Sequence, residues 1–405
     1  MAVRGLQLVT RRLLVRPVVN SGMRLLIISQ TNAPWTAPYA RAFTQRGDVV
    51  KVLSFAPDPL PGVDAVFVGT EPFDKYKNKH LYLTRVPTVR RVIREFRPDV
   101  VFAPYIVSNG LTAVLSWRGP LVVSGRGGDV LDQAEERGVR RAVRRRIVRY
   151  VCARADLVHV VSPELEQSLA RLGVPAAKQV CFPLGVDCAR YHPDPRMPRD
   201  PAMRIICTRK HEPIYDNGTI IDALARLKAS GRLFHCTFVG GAHLFEANLA
   251  RARAAGLRHE TTFIGHAPPE ALPDLLRAAD MYVSASLSDG TSSALLEALA
   301  TGLTPVVSDI SANRPWVLDG DNGLLFPPRR SDALAAALAR AMQDAGLRRR
   351  ALDRNPARVA ADGDVVRNME RMAHLLKSVC MSRRTPGGPR SGSGVAVPEA
   401  GGASP

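Results

Sequence analysis

The chain has 405 residues, 46% of them hydrophobic, and a formal net charge of +19. That length and apolar content suit two globular domains and exclude a disordered or fibrous chain. The excess charge implies affinity for something anionic, whether a membrane surface, nucleic acid or an acidic ligand. Residues 1–22 carry Arg4, Arg11, Arg12 and Arg16 among apolar residues. A transit peptide or a membrane-surface helix has this composition, but Met23 opens a strand directly, so the basic extension reads as an over-extended start or a disordered extension. A signal peptide is not expected, because Arg11-Arg12 interrupts its apolar core.

From Met23 onward, short apolar runs alternate with helical segments. In the first half the runs are Leu25–Ser29, Val49–Phe55, Ala65–Val68, Val100–Ala103, Leu121–Ser124, Leu157–Ser162 and Val180–Leu184. In the second they are Met203–Thr208, Cys236–Gly240, Thr262–Gly265, Met281–Ser286, Pro305–Ser308 and Gly323–Phe326. Near-continuous apolar strands separated by helices predict parallel sheets covered on both faces. There are too many of them for one eight-stranded barrel. No apolar run reaches transmembrane length, since Val100–Val123 is broken by Asn109, Trp117-Arg118-Gly119 and Pro120.

Between the halves, Pro193, Pro195, Pro198 and Pro201 forbid regular structure and mark a linker, placed at 188–202. The expected organisation is a first domain over 23–187 and a second over 203–380, two doubly wound units with ligand crevices at the carboxyl ends of their strands. Val365–Val379 has helical periodicity and closes the second domain; residues 381–405, rich in Gly, Ser and Pro, are expected to be a disordered tail. The six cysteines, Cys152, Cys181, Cys188, Cys207, Cys236 and Cys380, lack Cys-x-x-Cys or metal-ligand spacing and read as buried thiols of a cytoplasmic protein.

The densest charge run is Arg137–Val151. Val139, Val143, Ile147 and Val151 recur every four residues, which predicts one apolar stripe flanked by seven arginines. Such a helix suits peripheral contact with anionic lipid at the inner membrane face, or an ordinary core stripe with a solvated basic face.

The stretch with the most chemistry runs from Ser288-Asp289-Gly290-Thr291-Ser292-Ser293 to Glu297 and on to Gly302. It follows the strand-like run Met281–Ser286. The hydroxyls of Thr291, Ser292 and Ser293 suit a helix start, and Gly302 suits its stop. Free amides and the positive end of the dipole make such a start a phosphate site. Asp289 and Glu297 frame it, one just before the helix and one about two turns in, and a nucleotide-sugar has hydroxyls on both sides of a phosphate. Taken alone, the two carboxylates equally suit helix-end stabilisation.

Several blocks, in order, resemble the GT-B glycosyltransferases of the large retaining family 4. They are Gly127-Gly128-Asp129-Val130, then Ala155–Ser162, then Pro183-Leu184-Gly185-Val186-Asp187, then Gly265 and Ala279-Asp280. Ser286–Gly290, Leu296-Glu297-Ala298, Gly302, Pro305-Val306-Val307 and Asp321-Asn322-Gly323 complete the series, and the resemblance covers about residues 23–378. It implies a GT-B fold, α/β, with two doubly wound Rossmann-like domains facing an interdomain cleft. The second carboxylate of the family's Glu-x7-Glu signature binds ribose hydroxyls, here Glu297, and the first contacts the transferred sugar, here Asp289. The backbone of Gly290, Thr291 and Ser292 would receive the diphosphate, with Arg209 the preferred phosphate ligand and Lys210 the second. Gly128 and Asp129 fall on the acceptor side, in the first domain.

Departures from the family pattern are equally specific. The first signature residue is Asp, one methylene shorter than Glu. No glycine-rich turn follows the first strand, where Ser29–Trp35 stands instead. The family's second basic phosphate ligand is replaced by Ile214-Tyr215, and Phe102 and Arg126 occupy candidate positions of its N-terminal histidine. His211, beside Arg209-Lys210, reads as incidental, and Asp319-Gly320-Asp321 as a turn rather than a metal motif.

The resemblance implies retaining transfer of a sugar from a UDP- or GDP-sugar to a glycan or lipid-linked acceptor, in surface polysaccharide or glycolipid assembly. Front-face attack would need no protein nucleophile, no cofactor and no metal. The alternatives are a nucleotide-sugar epimerase of the same fold and a non-catalytic relative. Nucleic-acid binding is not expected, because no recognition motif accompanies the charge.

Overall fold

The computed structural model describes residues 22–71, 80–131, 138–194 and 202–384. Among the described residues thirteen strands form two wholly parallel sheets, one of seven strands and one of six. The first contains β1 (Arg24–Ile28), β2 (Val49–Ser54), β3 (Asp64–Phe67), β4 (Val100–Pro104), β5 (Leu121–Gly125), β6 (Leu157–Val160) and β7 (Gln179–Cys181). Its order is β3-β2-β1-β4-β5-β6-β7. The second contains β8 (Met203–Cys207), β9 (Phe234–Val239), β10 (Thr261–Ile264), β11 (Met281–Ser284), β12 (Thr304–Ser308) and β13 (Leu324–Phe326), in the order β10-β9-β8-β11-β12-β13.

The apolar runs behave as a doubly covered parallel sheet requires. Leu25, Leu26, Ile27 and Ile28 of β1 are all fully buried, Leu25 and Ile27 toward one core cluster and Leu26 and Ile28 toward the other. A second pair of clusters covers the two faces of the other sheet. In each sheet the strand order reverses once, between β1 and β4 and between β8 and β11, and the carboxyl ends beside those reversals are where open α/β sheets bind ligands.

The closing helix spans Val365–Arg384 and does not stay with the second domain. Met369, Met372, Ala373 and Leu376 lie in the same cluster as Leu25, Ile27, Phe102 and Val122 of the first. The chain crosses back beside Gly185-Val186, where Val186 N–H donates to Gly363 and Val365 N–H donates to Val186. Gly185 has φ +93°, and a Cβ there would stand 2.6 Å from the Gly363 carbonyl oxygen, so the crossing tolerates no side chain.

Two expectations need correction. The basic helix forms over Val139–Arg154, but its buried face is Arg144, Val148, Val151 and Cys152. Val139 and Val143 are 78% and 51% exposed. A four-residue step overshoots a 3.6-residue turn by about 40°, so four such positions spread over about 120° and cannot all face one neighbour. The closing helix also runs through Met381 to Arg384, past the expected start of the tail. The remainder of the tail, the extension over residues 1–21, Arg137 and the linker prolines Pro195, Pro198 and Pro201 lie outside the described residues.

Candidate active site

The second sheet's reversal brings together two loops distant in sequence. Arg209 follows β8, Asp289 follows β11, and these strands are hydrogen-bonded neighbours. Arg209 is only 8% exposed. Its Nη2 donates to Asp289 Oδ2 at 2.7 Å and its Nη1 to Ser292 Oγ at 2.6 Å. The guanidinium carbon stands 4.0 Å above the centre of the Tyr215 ring. Burial works against the charge, but Asp289, Tyr282 and Tyr215 outweigh it and raise the arginine's pKa.

Ser292 caps the helix Ser293–Ala300, with its Oγ accepting from Leu295 N–H at 3.2 Å. The backbone here is extended (ψ 111°), and the first turn's N–H groups have no partner within the helix. Gly302, at φ +81°, ends the segment. Asp289 folds back on its own loop, where Oδ1 accepts from Gly290 N–H at 2.9 Å. Arg209, Asp289, Gly290 and Ser292 are thus one hydrogen-bonded cluster at the start of the helix.

Glu297 lies on that helix between buried Leu296 and Ala298. Burial pushes its carboxyl up to about 7, against the opposing pull of the Tyr191 hydroxyl, Arg190 and Arg209. Tyr191 and Arg190 belong to the crossing segment expected to be a free linker. Tyr191 instead packs into the second domain's core, 8% exposed, and burial raises its own pKa with Glu297 adding to the effect. The aromatic residue directly ahead of the prolines was the available signal that this stretch is anchored.

Other expected site residues lie differently. Lys210 is exposed, and its carbonyl accepts from Asn217 Nδ2 at 3.2 Å and from Glu212 N–H at 3.0 Å. The Thr291 hydroxyl reaches the other domain and donates to the Val161 carbonyl at 2.5 Å. Asp129 is 1% exposed, with Oδ1 accepting from the N–H groups of Arg126 and Gly127 at 2.9 and 3.0 Å and Oδ2 from Ile106 N–H at 2.7 Å. Burial outweighs those bonds and raises its pKa. The carboxylate therefore ties the β4 and β5 loops together rather than facing the cleft, while neighbouring Gly128 is exposed. His211 is fully buried among Phe238, Phe245 and Phe263 and pairs with Asn248 at 2.9 Å. Phe102 is core, edge-on to Tyr39.

The cleft is narrow at this point, because a Cβ on Gly290 would stand 3.0 Å from the Arg126 carbonyl oxygen. Ser311 also bonds Glu164 across it. On the first domain's side Tyr105 takes φ +80° at the end of β4 and leads into a π-turn over Ile106–Gly110, a strained connection that nothing in the sequence announced. A hollow of about 760 Å³ is lined by Arg24, Arg91, Arg94, Glu95 and Arg97 and involves none of these residues. Among the described residues no group of three or more His, Cys, Asp or Glu side chains is placed to hold a metal ion. No helix among them is long and apolar enough to cross a membrane.

Comparison with known proteins agrees with this architecture. Residues 38–190 match Glycosyltransferase Family 4, and residues 217–358 match Glycosyl transferases group 1. A phosphatidyl-myo-inositol mannosyltransferase of Mycolicibacterium smegmatis is 30% identical over 41% of this chain and 44% of its own length. The amylovoran biosynthesis glycosyltransferase AmsK of Erwinia amylovora is 30% identical over 47% of this chain and 48% of its own. The chain thus spans about half the length of these two relatives. Among solved structures, sucrose-phosphate synthase of Thermosynechococcus elongatus superposes with a TM-score of 0.74 at 19% identity, covering 88% of this chain and 99% of that one. Anabaena HepE, solved with UDP and glucose, superposes at 0.71 and 18% identity over 88% and 100%.

Proposed function

We propose a reaction for a chain that belongs to the group 1 and family 4 glycosyltransferases and has their GT-B fold. It moves a sugar from a nucleotide-sugar to a glycan or lipid-linked acceptor, with retention. The observation that carries this reading is the cluster of Arg209, Asp289 and Ser292 at a helix start, with Glu297 further along the same helix. Arg209 and the helix's first N–H groups supply positive charge where a departing diphosphate gains negative charge. Glu297, a carboxylate held in a partly apolar pocket, suits the paired hydroxyls of a ribose. Asp289 is committed to Arg209 and to Gly290, which leaves it poorly placed to act as a nucleophile. The acceptor hydroxyl then attacks from the leaving-group side, its proton passes to the departing phosphate, and the charge is met by protein groups without a metal.

The donor is a UDP- or GDP-sugar. UDP and glucose occupy HepE, and a mycobacterial relative, 26% identical over half of this chain, is described as GDP-mannose-dependent. The melting temperature of the full chain tests this directly. One of the two nucleotides should raise Tm by several degrees at a hundredfold excess over Kd, since ligand bound only to the native state stabilises it by about 2.7 kcal/mol. No shift with either, and no hydrolysis of either sugar donor, would favour a non-catalytic relative.

A lipid-linked acceptor implies contact with the membrane face, and the basic helix supports it. Val139, Val143 and Tyr150 are exposed alongside Arg140, Arg145, Arg146 and Arg149. Apolar side chains projecting among arginines suit an anionic lipid surface. The full chain should sediment with phosphatidylglycerol vesicles at low salt and not with phosphatidylcholine vesicles. Val139→Asp with Val143→Asp should weaken that binding about tenfold, because each substitution removes buried apolar area and adds charge against the anionic surface. Equal binding to both lipids, or to neither, would remove the membrane from the proposal.

A further inference from the structure

Arg126 directly follows β5 on the first domain's wall of the cleft, opposite the Asp289-Gly290 turn. Its guanidinium carbon stands 5.3 Å from the Trp35 ring centre and 5.2 Å from that of Tyr39. Two aromatic faces fix the plane of the group while using none of its N–H donors. Nε and Nη2 are buried and meet no acceptor, and the nearby Tyr39 hydroxyl is likewise buried without a partner. Among the described residues Arg126 makes no ion pair. Asp129, three residues on, has both oxygens occupied by backbone N–H groups and does not neutralise it. Buried, unpaired donors are rare in folded proteins, and a cluster of them at a crevice marks a place where a ligand supplies the acceptor.

We propose that Arg126, held against Trp35 and Tyr39, is the recognition site for an oxyanion carried by the acceptor sugar. This rests on the glycosyltransferase reading, in which Arg209 and the helix start of the second domain already meet the donor's diphosphate. Arg126 belongs to the other domain, with its backbone carbonyl beside Gly290, and is therefore assigned to the acceptor side. Nε and Nη2 present a fork that matches two oxygens of a phosphoryl or carboxylate group. The partly exposed Trp35 indole beside it offers an apolar face for a sugar ring. The Arg126 backbone itself borders the cleft, because a Cβ on Gly290 would stand 3.0 Å from its carbonyl oxygen.

The test uses the full chain saturated with UDP or GDP, at constant ionic strength, with Tm read against added glucose 1-phosphate, inorganic phosphate, glucuronate or glucose. Glucose 1-phosphate should stabilise saturably and more than inorganic phosphate, and glucose should have no effect. Glucuronate acting in place of glucose 1-phosphate would identify the oxyanion as a carboxylate, within the same proposal. Arg126→Gln should weaken the response about ten- to hundredfold while nucleotide affinity stays within about twofold. Arg126→Lys, which keeps the charge without the fork, should recover part of it and covers the case in which the glutamine variant fails to fold. An equal response to inorganic phosphate would overturn the acceptor assignment. Loss of nucleotide binding in either variant would move Arg126 to the donor, and no response in the wild-type chain would overturn the site altogether. The titration is repeated without nucleotide, so failure of both UDP and GDP to bind counts against the reaction and leaves the oxyanion measurement standing.

Discussion

Arg209→Met is expected to lower turnover by about a thousandfold and to destabilise the chain by about 2–3 kcal/mol. The two losses have different origins. Turnover falls because the guanidinium meets charge that develops only as the diphosphate leaves. Stability falls because Asp289, whose side chain is 21% exposed, loses the cation paired with it at 2.7 Å, and Ser292 loses a donor at 2.6 Å. Chemical denaturation and donor hydrolysis measured on one preparation separate them. Adding Asp289→Leu to Arg209→Met should restore most of the stability, since no uncompensated carboxylate remains, yet leave turnover at its floor. Arg209→Lys should not rescue turnover, because one ammonium cannot hold Ser292 and Asp289 together in a fixed fork. Turnover restored by the double variant would show that Arg209 serves only the fold.

Glu297→Gln should give opposite results in stability and in binding. With the folded carboxyl at about 7, raised from 4.5 by burial, ionisation costs native-state stability. The sign follows from linkage: below about pH 4.5 the group is protonated in both states, and stability is lost as pH rises from there through 7. Glutamine carries no such cost. The variant should therefore match the wild type near pH 4.5 and exceed it at pH 8, by on the order of 3 kcal/mol for a shift of that size. Nucleotide binding should run the other way. In the wild type it strengthens from pH 6 to 8, as the carboxylate that accepts two ribose hydroxyls forms. In the variant it should be flat with pH and about a hundredfold weaker at pH 8. A variant that binds nucleotide as tightly as the wild type at pH 8 would remove Glu297 from the donor site.

The sequence made the architecture readable because parallel strands buried on both faces must be apolar at nearly every position. Runs such as Leu25–Ile28 and Met281–Ser284 leave no alternation to confuse them with half-exposed strands. The helix start at Ser292 was readable for a similar reason, since capping chemistry is local. What escaped depends on contacts between distant segments. Nothing near Asp129 says that its oxygens will be occupied by the N–H groups of Ile106, Arg126 and Gly127. Tyr191 looked like linker because the second-domain core cluster that it joins is assembled from residues as far apart as Ile206 and Val359. The pairing of Arg209 with Asp289 follows from strand order, which places β8 beside β11 although they are far apart in the chain.

The return of the closing helix has a consequence for how the protein is made. The apolar surface formed by Leu25, Ile27, Phe102 and Val122 is completed by Met369, Met372 and Leu376, near the other end of the chain. At a synthesis rate of about 5–20 residues per second, the first domain is out of the ribosome for on the order of ten seconds or more before its last wall exists. Throughout that interval it presents an uncovered hydrophobic face. Ribosomes halted or chains truncated before Met369 should therefore yield a first domain that is folded in outline and sticky on one side. Loss of the closing helix would be felt as aggregation of residues 23–187, not as a defect in the second domain that precedes it in the chain.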